Sequence, residues 1–219
     1  MIPLRDVIPS RTTPYVTVTI IALNAIAWVF ELGMSDRELQ QFLTVYGVVP
    51  AEFSPITLLT SMFLHGGWMH VIGNMWYLWI FGDNVEDRVG HGRFIVFYLF
   101  CGIAAALGQV AVDPGSMLPT IGASGAIAGV MGAYFVLYPH SRVLTLLPLI
   151  IIWEIVELPA IVLLGFWFLL QLFSAGTIAM TASSHGSGGV AFMAHVAGFI
   201  FGMIAVFVFR KRQRQPDWI

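Results

Sequence analysis

Six long apolar segments constrain this chain of 219 residues more than any other feature. A helix needs roughly 20 apolar residues to cross a bilayer, with a tolerated range of about 17–25. Only 10% of the residues are charged, whereas a soluble domain carries about 25%. The sequence therefore predicts an all-α membrane protein, a bundle of six helices in one domain over residues 1–219, with spans at about 14–33, 66–82, 93–112, 122–138, 157–176 and 190–209.

One further apolar stretch, VLTLLPLIIIWEIV at 143–156, does not fit this count of spans. Pro148 and Glu154 interrupt it, and a proline inside a helix breaks or kinks it. The stretch either extends the fifth span or forms a separate interfacial or re-entrant segment, and the sequence leaves both possibilities open.

The basic residues predict the orientation of the bundle. With six spans, nine of the ten Lys and Arg residues lie on one side, and only Arg37 lies on the other. Cytoplasmic loops carry an excess of Lys and Arg, so we expect both termini to be cytoplasmic. The N-terminal sequence has prolines and charges before a full-length apolar run, which is not the pattern of a cleaved signal peptide.

Charge and cysteine content exclude other classes of protein. The net charge is −2, which gives no electrostatic basis for binding nucleic acid. The single cysteine, Cys101, cannot form a disulfide within the chain. We expect the lipid bilayer as a partner, and no cofactor, metal or nucleic acid; the oligomeric state is not predicted.

Three spans carry polar groups that are costly inside a membrane, and each such group is a functional hypothesis. The sequence FLHGGWMHVIGN contains His65, His70 and Asn74, while Ser124 lies in GASG and His195 in AHVAGFIFG. The second, fourth and sixth spans all enter from the non-cytoplasmic side. At 1.5 Å per residue, His70, Ser124 and His195 lie within roughly 8 Å of the same depth.

Small residues on the fourth and sixth spans predict that these two helices pack closely. Close packing would bring the His195 imidazole within hydrogen-bond reach of the Ser124 hydroxyl, and a serine beside a histidine base is an activated nucleophile. The small residues are Gly125, Gly129 and Gly132 on the fourth span and Ala194, Gly198 and Gly202 on the sixth.

Other groups at this depth could stabilise an oxyanion, which a hydrolase requires. Asn74 offers an amide NH₂ and His70 a ring N–H. The Ser124 backbone N–H lies at a helix start, where the first N–H groups lack partners within the helix. Because no acidic residue is placed to orient His195, a Ser–His dyad fits better than a triad.

Two alternatives explain the same residues without catalysis. Taken singly, a histidine in a bundle is a satisfied polar group and a serine among glycines is packing, but their shared depth favours a site. A channel or transporter would continue its polar groups across the membrane. Here the inner halves of the three spans are almost free of polar residues, since they read WYLWIF, GVMGAYFVL and MIAVFVF.

The three motifs, in this order and on these spans, make the chain resemble the rhomboid family of intramembrane serine proteases from about residue 14 to 210. The resemblance implies that Ser124 is the nucleophile and His195 the general base. It implies an oxyanion hole formed by Asn74, His70 and the Ser124 backbone, with His65 in a peripheral, structural position. Structural motif positions are Gly122, Gly125, Gly198 and Gly202.

The resemblance also implies an activity, a location and a route for substrate. Family proteases cleave single-pass transmembrane proteins through an acyl-enzyme, and the substrate enters past the fifth helix. TASSHGSGG at 181–189 then corresponds to the loop that caps the site, with His185 as a solvated loop residue. We expect a minimal enzyme of a bacterial inner membrane; an inactive, client-binding member of the family is the rival interpretation.

One departure from the family pattern concerns the base. Some members place an aromatic residue four positions after the serine, stacked on the catalytic histidine. Here that position is Ala128, so the sequence does not show how His195 is oriented.

Overall fold

A computed structural model of the chain describes residues 1–149, 152–181 and 191–211. The described residues form eight α-helices, three β-strands and two short 3₁₀ turns. In chain order the helices and strands are β1 (Ile2–Asp6), α1 (Tyr15–Leu32), α2 (Asp36–Tyr46), α3 (Thr57–Thr60), α4 (Trp68–Val89), α5 (His91–Val112), α6 (Ser124–Leu137), β2 (Arg142–Leu149), β3 (Ile152–Pro159), α7 (Ala160–Thr181) and α8 (Phe192–Phe209).

Helices occupy all six stretches that the sequence marks as spans. Within the described residues, three of them, α1, α5 and α8, are long and apolar enough to cross a membrane, with mean hydropathies of 1.7, 2.2 and 2.3. Helix α6 is apolar but has only 14 residues, and α4 ends in the charged sequence DNVEDRV. The fold is therefore mostly helical, and the count of six spans stays a prediction.

Helix α6 lies at the centre of the bundle, in contact with α4, α5, α7 and α8. Nearly all of its residues are buried, from Gly125 to Tyr134 without interruption. Small residues let helices approach closely in a membrane, and the glycines of α6 lie in tight contact with both α5 and α8, which fits this central position. Ser124 is its first residue, so the nucleophile predicted from the sequence begins the most enclosed helix of the described bundle.

A three-stranded antiparallel sheet in the order β1-β2-β3 corrects the expectation of an all-α chain. The described residues of the stretch 143–156 fall in this sheet, where Arg142 pairs with Pro159 and Leu149 with Ile152. It is therefore a separate segment and not an extension of the fifth helix, which begins only at Ala160. A short apolar run fits a strand as well as a helix, and Pro148, which cannot continue a helix, lies in β2.

The N-terminal strand is tied to the helices by polar contacts at the end of the bundle opposite to Ser124. Tyr134 of α6 and the Asn84 side chain of α4 both donate hydrogen bonds to the Asp6 carboxylate, at 2.7 and 2.9 Å. Burial, with a smaller contribution from the nearby Asp83 charge, raises the pKa of Asp6 to about 6. These contacts fix the end of α6 that carries no candidate site residue.

Candidate active site

Ser124 and His195 meet at the interface of α6 and α8. The Ser124 Oγ lies 2.7 Å from His195 Nε2, a normal length for a hydrogen bond from a hydroxyl. The His195 side chain is almost fully enclosed, because only 8% of the residue is exposed. The sequence-predicted pair is thus brought together in hydrogen-bonding geometry.

Glycines make this approach possible, in an arrangement more specific than the sequence indicated. A Cβ on Gly198 would lie 2.1 Å from the Gly125 carbonyl oxygen, and one on Gly202 would lie 1.9 Å from that of Gly129. The glycines of α8 therefore leave space for the backbone of α6 to approach closely. A Cβ on Gly125 would instead lie 2.5 Å from the Cβ of Ala105 on α5. The glycines of α6 and α8 together therefore allow α6 to pack closely against both α5 and α8.

His70 is oriented by the loop before α4. The Gly66 backbone N–H donates to His70 Nδ1 at 3.3 Å, so in the neutral ring the proton is on Nε2. That Nε2 lies beside Gly122, where an added Cβ would be 2.6 Å away. Gly122 has a φ of +116°, which disfavours any side chain there. The His70 N–H donor therefore lies next to the turn that leads into Ser124.

Asn74 lies near Gly122, as His70 does, since its amide nitrogen would be 3.6 Å from a Cβ on Gly122. One N–H of this amide donates to His65 Nε2 at 3.0 Å, which leaves the second N–H for another acceptor. His65 is fully buried in the loop before α4. Burial, with a smaller effect of His70, lowers the pKa of His65 to about 4, so its ring is a neutral acceptor at pH 7.

Glu31, at the end of α1, was not identified as a site residue from the sequence. Its carboxylate accepts the His65 backbone N–H at 3.2 and 3.3 Å, and Glu31 is only 2% exposed. The carboxylate thus fixes the loop that carries His65. An acidic residue in the last turn of an apolar helix was the available signal, because a buried charge needs partners.

Helix α7 provides two more residues that the sequence did not indicate. Gln171 Oε1 lies 2.7 Å from His195 Nδ1. The rings of Trp167 and His195 are 5.8 Å apart between centroids and tilted by 35°. Ala128, the position at which some family members have an aromatic residue, is fully buried, and Trp167 supplies the aromatic neighbour from another helix.

Other polar residues named from the sequence lie apart from this site or cannot be placed. Asp113 follows α5, and Glu154 and Glu157 lie in β3, so the fifth helix begins at Ala160 and not at about residue 157, as the sequence predicted. The predicted capping loop with His185 falls in 182–190, outside the described residues. Within the ranges that the structure describes, no group of three His, Cys, Asp or Glu residues could hold a metal ion.

Comparison with known proteins places this chain. A family model described as the Rhomboid domain matches residues 52–212. Rhomboid-like protein 11, chloroplastic, of Arabidopsis thaliana is 26% identical over 86% of this chain and 66% of its own length. Putative rhomboid protease YdcA of Bacillus subtilis is 32% identical over 57% of this chain and 62% of its own length.

Another relative is more similar in sequence, but over a shorter part of the chain. Rhomboid protease GluP of Bacillus subtilis is 42% identical over 35% of this chain and 14% of its own length. The chain spans less than two thirds of the length of these curated relatives. The family model covers well over half of the chain, so the protein belongs to the rhomboid family of membrane proteins, which includes intramembrane serine proteases and inactive members.

Proposed function

We propose that this protein is an intramembrane serine endopeptidase that cleaves single-pass transmembrane proteins in or near the bilayer. The observation that carries the proposal is the 2.7 Å contact between Ser124 Oγ and His195 Nε2. A serine within hydrogen-bond reach of a histidine, which a third group in turn orients, is the arrangement of an activated nucleophile. Relatives named as rhomboid proteases support it.

The chemistry follows from the residues of the pair. As Ser124 Oγ attacks the peptide carbonyl carbon, its proton passes to His195 Nε2. The carbonyl oxygen becomes an oxyanion, and the His70 Nε2–H, the free Asn74 N–H and the Ser124 backbone N–H are its donors. When the intermediate collapses, the C–N bond breaks, His195 protonates the leaving amine, and the acyl group stays on Ser124.

Hydrolysis of the acyl-enzyme repeats these steps with water as the nucleophile. His195 takes a proton from water as the water oxygen attacks the ester carbonyl, and returns it to Ser124 Oγ as the ester bond breaks. A helical substrate hides its carbonyls in hydrogen bonds to residues four positions later, so we expect cleavage at a locally unwound segment.

We also propose an orientation with both termini in the cytoplasm, in a bacterial inner membrane.

Cleavage of a model transmembrane substrate in proteoliposomes tests the proposal. Wild-type protein should release the expected fragments, and Ser124→Ala should lower kcat by about 10⁴-fold or more, because the nucleophile is lost. Ser116→Ala, in the loop before α6, is the matched control and should cleave like wild type. Fragment release by Ser124→Ala at the wild-type rate would exclude the assignment, and no cleavage by any variant would favour an inactive, client-binding role.

A further inference from the structure

Helix α7 presents a hydrogen-bond acceptor to the nitrogen of His195 that does not face the serine. Gln171 Oε1 lies 2.7 Å from His195 Nδ1, and on the opposite side of the ring Ser124 Oγ lies 2.7 Å from Nε2. A carbonyl oxygen only accepts, so the Nδ1 proton donates to it and Nε2 keeps its lone pair. The three side chains form one chain of hydrogen bonds in a single direction.

We propose that Gln171 is the positioning residue of the site, which holds His195 in the tautomer that can accept the Ser124 proton. This inference rests on the proposed protease function. Among the described residues no carboxylate forms a hydrogen bond with His195, so the amide takes the place that an aspartate has in a Ser-His-Asp triad.

A neutral amide suits this location for an electrostatic reason. An isolated carboxylate in the outer part of an apolar bundle is costly, whereas an amide provides an acceptor oxygen without a charge. When His195 becomes an imidazolium, its hydrogen bond to Gln171 becomes charge-assisted and stronger. The amide thus stabilises the protonated base in the transition state, although less than a carboxylate would.

Trp167 supports the same orientation from one turn earlier on α7. Residues four apart share one face of a helix, so Trp167 and Gln171 approach His195 together. The Trp167 ring lies beside the imidazole, at 5.8 Å between centroids and tilted by 35°, and the Gln171 amide contacts its Nδ1. Both restraints depend on α7 lying against α8, so a shift of α7 would change the orientation of the base while Ser124 stayed in place.

Substitutions at Gln171 separate positioning from packing. Gln171→Met keeps an unbranched side chain of similar length but provides only a weak acceptor, and Gln171→Glu restores a strong one. Leu172→Ala is the matched control, because Leu172 is the next residue on α7 and is 47% exposed. Each variant is assayed in proteoliposomes for kcat and KM, for the pH dependence of kcat/KM, and for its rate of reaction with a small fluorophosphonate.

We expect Gln171→Met to lower kcat and the fluorophosphonate rate by about 10- to 100-fold with little change in KM, less than the 10⁴-fold effect of a triad aspartate. Gln171→Glu should recover to within about tenfold of wild type. Its activity should be lost at a higher pH on the acidic side, because a nearby carboxylate favours the protonated imidazole. Leu172→Ala should match wild type.

Two results would overturn the positioning role. One is a Gln171→Met protein with wild-type kcat and labelling rate. The other is a Gln171→Glu protein that is as slow as Gln171→Met and keeps the wild-type pH profile, which would show that Gln171 only packs. Thermal unfolding in detergent confirms that each variant is folded. Failure of the protease proposal is seen separately, as activity that survives Ser124→Ala.

Discussion

Helices α6 and α8 meet backbone to backbone, whereas α7 meets α8 through side chains. In the first contact the Gly129 carbonyl oxygen lies only 1.9 Å from the position that a Cβ of Gly202 would take. In the second, Phe168 stacks on Phe199 with ring centroids 4.8 Å apart. Small residues allow close helix approach, and such a contact leaves no space for adjustment.

The two interfaces therefore have different roles in the proposed site. The α6–α8 contact sets the distance between Ser124 and His195. The α7–α8 contact sets how the His195 ring is turned. A movement of α7 can therefore change the base without separating it from the nucleophile, so the two interfaces should respond differently to substitution.

Of the substitutions that test this comparison, the largest effect is expected from Gly202→Ala, which breaks the backbone contact. The new Cβ would lie 1.9 Å from a carbonyl oxygen, and overpacking of this kind costs about 1–3 kcal/mol. Because α6 and α8 must separate, we expect kcat to fall about 10²-fold, the effect of a misplacement of about 1 Å. Cleavage assays and thermal unfolding in detergent measure both changes.

Gly73→Ala is the matched control for that substitution. Gly73 is also a helical glycine, on α4, but a Cβ there would meet nothing within 4 Å. Its stability and kcat should equal or exceed those of wild type, because alanine favours helix. Equal behaviour of the two variants would refute the importance of the backbone contact.

A smaller effect is expected from the side-chain contact. Trp167→Ala removes the aromatic neighbour of His195 but leaves the α6–α8 glycines unchanged. An aromatic pair contributes about 0.5–1.5 kcal/mol, so we expect kcat to fall by up to about tenfold with Ser124 still reactive. Phe173→Ala, at a residue of the same helix that is 71% exposed, should have no such effect; a greater loss there would place the important surface of α7 elsewhere.

The smallest effect is expected from Asp6, which contacts α6 at the end away from Ser124, and it is a change of stability with pH. The pKa of Asp6 is raised to about 6 in the folded protein from an ordinary value of 3.8. Between these values the folded state binds more protons than the unfolded state, so stability falls as the pH rises through this window. Solvent screening should limit the change to less than about 1 kcal/mol.

Asp6→Asn checks this assignment, because an amide oxygen can still accept from Tyr134. Thermal unfolding of the variant should lose the part of the pH dependence that lies between about 4 and 6. Its kcat at pH 7 should stay at the wild-type value. Asp113→Asn, at an exposed loop position, is the control. An unchanged pH dependence in Asp6→Asn would assign the titration to another group.

The proximity of Ser124 and His195 could be predicted from the sequence, because depth and glycine spacing on two helices define where they meet. Gln171 could not be predicted, since its role depends on the rotation of α7 about its own axis, and no motif marks that rotation. The secondary structure of β2 and β3 could not be predicted for another reason, because their apolar residues lack a period that separates strand from helix. The role of Glu31 as an acceptor could not be predicted either, because it depends on the path of the loop before α4.

The proposed function depends above all on Ser124 being a nucleophile that His195 activates. Reaction of the purified protein with a fluorophosphonate, followed by peptide mass spectrometry, tests it directly, because fluoride leaves as an Oγ–P bond forms and the serine proton passes to the base. We predict one adduct, on Ser124, that is absent from Ser124→Ala and strongly slowed in His195→Ala. An adduct that persists in Ser124→Ala, or equal rates in wild type and His195→Ala, would contradict the claim.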